Sequence, residues 1–128
     1  MNRVAIATII VSAVLLPLAA SGQGMTRARE LRENIRIVEA GTKDADNFRS
    51  LSDEVRMKIE NTSGYVVGMC DAWNSDRPGF VPKQVGWLEI MGVVRRFIDA
   101  HPERLQDLAA DVAKEAVAEA YHQKNVHR

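Results

Sequence analysis

From Thr26 onward, apolar residues recur at intervals of three and four, and no stretch of four to eight residues alternates as a half-buried strand would. That period restricts the chain to an all-α fold. With 128 residues and an apolar share of 46%, it suits one domain rather than two. The 17 Lys and Arg balance the 17 Asp and Glu, so the basic excess of a nucleic-acid binder is missing, as is the acidic excess of a solvating tail. Nucleic acid is therefore not an expected partner.

Residues 1–22 read differently from the rest. Arg3 is their only charge, Val4 to Leu16 is almost wholly apolar, and Pro17 leads into Ala19-Ala20-Ser21-Gly22. This is the pattern of a secretory signal peptide, with cleavage expected before Gln23 and a cut after Ala20 nearly as good. The apolar run is shorter than the roughly 20 residues that span a bilayer, so no stable membrane anchor is expected. No Cys follows the cut, which closes the lipoprotein route. The expected address is the periplasm, where small domains often rely on disulfides. Cys70 is the one cysteine, so no intramolecular disulfide can form, and its apolar neighbours predict a buried thiol.

Within 23–49 the sequence predicts a helix from Thr26, a candidate N-cap, to Gly41, its stop, followed by a polar linker. Leu31, Ile35 and Val38 form a narrow stripe, which suggests a peripheral helix. The main helical domain is expected over 50–122. Its first helix starts near Ser50, with Asp53 three residues on, and should weaken or break at Asn61-Thr62-Ser63-Gly64. Tyr65, Val66, Val67, Met69, Cys70 and Trp73 then read as core. Gly64, Gly68 and Ala72 share one face, which predicts close approach of another helix.

Asn74 to Lys83 reads as a loop, with Phe80 and Val81 tucked back onto the core. A third helix is expected from Gln84 to Ala100, with Trp87, Met91, Val94 and Ile98 on one stripe. Pro102 should end it and start a fourth, carrying Leu105, Leu108, Val112, Ala116 and Ala120. Residues 123–128 read as a loose tail. The total is a bundle of about four helices, with Gly64, Tyr65, Gly68, Asp71, Trp73, Pro82, Trp87 and Pro102 in structural roles.

Chemistry-bearing patterns are sparse. Cys70, His101, His122 and His127 do not form a zinc-ligand set, and no Ser sits in a nucleophile elbow. Asp71 and Glu89 are the only carboxylates worth pairing, and solvation on helix surfaces explains them better. Arg95-Arg96 beside Asp99 and Glu103 reads as a salt-linked face. No metal, cofactor or catalytic residue is expected.

Four segments carry a more specific signal. Gly64-Tyr65-Val66-Val67-Gly68-Met69-Cys70-Asp71-Ala72 comes first, then Phe80-Val81-Pro82 with Val85 and Leu88. Val93 to Leu105, with its His101-Pro102-Glu103, and an Ala-rich helix closing on Ala120-Tyr121 complete the set. In order and spacing these resemble the Rap/Tai family of immunity proteins, over a little under half of the chain. The resemblance implies a helical, non-catalytic periplasmic protein, often a homodimer, that binds and inhibits a peptidoglycan amidase effector delivered by type VI secretion. The family commonly has Cys at the Val-Pro of the loop and after the final aromatic residue, where this chain has Val81 and His122. As partner-binding candidates the loop offers Asp76, Arg77, Phe80 and Lys83. A helical module for another envelope protein is the alternative. Mass spectrometry of exported material should find a chain beginning at or near Gln23; an intact Met1 on a membrane-bound product would contradict the signal-peptide reading.

Overall fold

A computed structural model describes residues 26–122; the expected signal peptide with its cleavage point, and the 123–128 tail, lie outside the described residues. Five α-helices are present among them: α1 (Ala28–Gly41), α2 (Ala45–Ser50), α3 (Asp53–Asp76), α4 (Trp87–Ala100) and α5 (Ala109–His122). A 3-10 turn, Pro102–Arg104, joins the last two. The all-α fold class holds. None of these helices is long and apolar enough to cross a membrane.

The first helix corrects the expectation of a peripheral segment. α1 packs against α3, α4 and α5, and its Ala28, Leu31, Ile35 and Val38 are completely buried. A narrow stripe suffices because other helices close over it from several sides, something the spacing of α1 alone cannot reveal. Fully burying one such aliphatic side chain is worth about 1.5–3 kcal/mol. Arg27, not Thr26, occupies the N-cap and gives no side-chain cap. The first amides instead donate across the bundle, Ala28 N to Asp107 O at 2.9 Å and Arg29 N to Leu105 O at 3.0 Å. Ala109 N returns a bond to Thr26 O at 2.9 Å, so the starts of α1 and α5 satisfy each other's approach segments.

The polar stretch after Gly41 is more than a linker, since it contains α2, capped by Asp44, whose side chain accepts from Asn47 N at 2.6 Å. The cap of α3 is Ser52 rather than Ser50. α3 also runs unbroken through Asn61–Gly64. Thr62 and Ser63 donate their hydroxyl protons one turn back, to the carbonyls of Lys58 and Ile59 at 2.7 Å each, which satisfies the polar cluster inside the helix.

The face of α3 differs from expectation. Between Tyr65 and Trp73 only Val66 is fully buried; Tyr65, Met69, Cys70 and Trp73 are half-buried against the core. A Cβ built on Gly64 or Gly68 meets nothing within 4 Å, so no helix packs close against that strip. The close approach is at Gly41, the last residue of α1, where a Cβ would lie 2.5 Å from Ile59 Cδ1 and 3.0 Å from Leu51 Cδ1. Side chains of α3 and its lead-in occupy the space a larger residue would need.

α4 starts at Trp87 rather than Gln84 and buries Ile90, Met91, Val94, Phe97 and Ile98, while Trp87 itself is exposed. Pro102 lies beyond the end of α4 but begins only the 3-10 turn; α5 starts at Ala109, and Leu108 before it is exposed. Arg95 of α4 straps the bundle, donating to Glu39 of α1 at 2.6 Å and to Asp99 at 3.0 Å. Arg36 of α1 also reaches Asp99, at 3.0 Å.

These placements make Gly68 tolerant and the α1 stripe sensitive. Gly68→Ala should raise stability in urea titration by about 0.5–1 kcal/mol, because it removes a glycine from an open helix surface. Ile35→Ala should cost about 2–5 kcal/mol as a core truncation.

Candidate functional site

The chain between α3 and α4 has a buried middle. Asp76 is the last residue of α3 and Arg77 its C-cap, so the connection proper runs over residues 77–86, and the expected loop over 74–83 begins inside the helix. Gly79 supplies the one positive φ among the described residues, +79°. That conformation is disfavoured for residues with a Cβ and turns the chain inward. Phe80 N then donates to Arg77 O at 3.0 Å, and Val85 N to Pro82 O at 3.0 Å.

Inward turning buries Phe80 and Val81. Phe80 is therefore a core residue and is corrected as a direct partner contact. Trp73 meets its ring edge-on, with centroids 5.7 Å apart, and the His122 ring stacks on it at 5.0 Å. The His122 Nε2 atom lies 2.7 Å from the Phe80 carbonyl oxygen, and Lys114 Nζ is 5.8 Å from the Phe80 ring centre. Asn74 Oδ1 accepts from Val81 N at 2.8 Å. The end of α5 thus meets the Phe80-Val81 pair through packing and a hydrogen bond.

Beside this braced loop lies a cleft of about 220 Å³. α3 contributes Val67, Cys70, Asp71 and Asn74, the loop contributes Val81, Pro82, Lys83 and Val85, and α4 contributes Trp87 and Ile90. Its lining mixes apolar and polar groups, and two of its walls carry opposite charges, Asp71 on α3 and Lys83 on the loop. Among the described residues, the side chains of Asp71, Asp76, Arg77 and Lys83 form no ion pair or hydrogen bond. Val67 and Trp87 are 40% and 39% exposed, and Leu88, next to Trp87, is 44% exposed.

The other expected site residues divide. Lys83, Asp71, Pro82 and Trp87 converge on the cleft, with Asp76 and Arg77 close by in sequence at the end of α3. Gly64 and Gly68 sit on the open face of the same helix. Tyr65 is half-buried, and burial followed by the nearby Asp111 charge pushes its hydroxyl pKa up. The His101-Pro102-Glu103 segment makes a turn: the His101 ring packs on Phe97 at 4.4 Å, and its Nδ1 lies 3.0 Å from Glu103 Oε1. Tyr121 donates to Glu89 at 3.2 Å, so that carboxylate has a structural partner. Among the described residues no group of three or more His, Cys, Asp and Glu is placed to hold a metal ion.

Sequence reasoning missed Asn74 and His122 as loop supports and Val67, Val85 and Ile90 as cleft lining. Asn74 and His122 reach loop residues seven and 42 positions away, contacts that cross between elements and that the repeat within one helix does not show. Other hollows lie elsewhere among the described residues. One of about 360 Å³ lies between α4 and α5, and one of about 330 Å³ lies against α1, α2 and α3. Neither borders the braced loop.

No family model matches the chain, and no curated protein or solved structure matches it.

Cys70 lines the cleft half-buried rather than lying deep in the core. Burial, then the neighbouring Asp71 charge, pushes its thiol pKa up. The thiolate is the reactive form, so less of it is present at neutral pH than in a free thiol. Iodoacetamide should label the native protein slowly at pH 7.5, and the rate should still climb past about pH 9. A rate equal to that of the urea-denatured chain at both pH values would contradict this placement.

Proposed function

We propose that the chain is a non-catalytic, periplasmic protein-binding module that neutralises a peptidoglycan amidase delivered by type VI secretion. The observation that carries the binding role is the cleft beside the braced loop, where unpaired charges of both signs stand next to the exposed Trp87 and Val67. At about 220 Å³ it is smaller than the roughly 300–1,000 Å³ of small-molecule sites. One anchoring side chain of a protein partner fits such a space, and protein interfaces concentrate their energy in anchors of this kind. A loop already fixed by Asn74, Trp73 and His122 has little ordering entropy left to lose on binding.

The choice of an amidase rests on the resemblance to the Rap/Tai family, carried by Gly64 to Ala72, Phe80-Val81-Pro82, His101-Pro102-Glu103 and the Ala-rich final helix. That resemblance also supports pairing of two copies and export through residues 1–22. Val81 and His122, in place of the usual cysteines, favour a second reading in which the same cleft serves another envelope protein.

Pulldown from periplasmic extract, with and without candidate effectors, should recover an amidase, and the purified protein should inhibit it in a peptidoglycan digestion assay. Trp87→Ala should weaken binding about 10- to 100-fold as loss of an anchor. Replacing Asp76 and Arg77 with Ala should weaken it several-fold, with the melting temperature nearly unchanged. Wild-type protein that binds no amidase but captures another envelope protein would put the second reading in front. Unaltered inhibition by all these variants would move the contact to another face.

A further inference from the structure

The loop wall of the cleft is held from two directions. α3 holds it through Asn74, which accepts from Val81 N at 2.8 Å, and α5 holds it through His122. We propose that His122 is a positioning residue: it latches the Phe80–Lys83 wall and so sets the width of the cleft. This inference rests on the reading of the cleft as the partner's site only for its effect on affinity.

The chemistry of the contact defines the latch. A carbonyl oxygen can only accept, so the 2.7 Å contact with the Phe80 carbonyl requires the proton on His122 Nε2. Stacking at 5.0 Å and an interplanar angle of 28° adds a second restraint on the same residue. Val81, Pro82 and Lys83 follow Phe80 directly and line the cleft, so a displacement at Phe80 is passed along three residues of chain. Cys70 of α3 lines the same cleft, so its labelling rate is the readout for a shift of that wall.

The test uses the full chain and iodoacetamide, with His122→Ala and His122→Gln as variants. Gln places an amide donor near the reach of Nε2 but carries no ring. If the latch exists, His122→Ala accelerates Cys70 labelling about three- to tenfold, the factor expected from losing one net hydrogen bond. His122→Gln should give a rate between those of Ala and wild type. Melting temperatures should fall only by the few degrees that one hydrogen bond is worth, and labelling should not follow global unfolding in low urea. An unchanged Cys70 rate in His122→Ala overturns the proposal, whether or not any amidase binds. It is equally overturned if Ala and Gln accelerate labelling alike and in step with lowered melting temperature, because His122 would then only support the fold. Faster labelling with Gln rescue, but unaltered affinity for an amidase that the wild type binds, supports the latch and instead removes the cleft as the contact.

Discussion

Leu31, Ile35 and Val38 form the contact on which the other helices depend, because all three are fully buried on a helix that packs against α3, α4 and α5 together. A single-cysteine chain of 128 residues cannot lean on an internal disulfide, so its packing must come from helix faces alone. α1 supplies the axis for that packing. Gly41 lets its last turn approach Ile59 and Leu51, and Arg95 ties its Glu39 to α4. Without this axis α3 and α4 would lose a shared support.

The loop shows how a connection becomes a rigid feature. Gly79 turns it inward, Phe80 and Val81 enter the core, and Asn74 and His122 satisfy an amide and a carbonyl from two different helices. Burying those backbone groups unpaired would cost stability, so the hydrogen bonds are the condition for burying the aromatic ring. The cleft follows from the same arrangement, since residues next to the buried pair must line whatever space is left beside α3. Charges on α1, α4 and α5 meet partners across helices, whereas Asp71 and Lys83 at the cleft do not.

Helix content and most of the α4 and α5 core were legible in the sequence, because Met91, Val94, Ile98, Val112 and Ala116 repeat at helical spacing and are all buried. The rank of α1 was not legible, since three apolar residues look weak until the helices around them are known. Polar spacing misled at Thr62 and Ser63, whose hydroxyls bond within the helix instead of ending it. Glycine spacing misled at Gly64 and Gly68, which face open space, while the tight glycine, Gly41, looked like an ordinary helix stop. At the cleft, Lys83 could be picked out as a charged loop residue, whereas Trp87 reads in the sequence as part of a buried stripe and is exposed in the structure. His122 could not, because its contact with Phe80 spans 42 positions and exists only after α5 folds back along the bundle.

We propose that the partner engages the cleft between α3, the braced loop and the start of α4. Amide hydrogen exchange on the chain alone and in complex with its captured partner tests it most directly. New protection should fall on residues 70–76 and 81–88, with the amides of α2 unchanged. Protection confined to α2, or to the groove between α4 and α5, would contradict the claim.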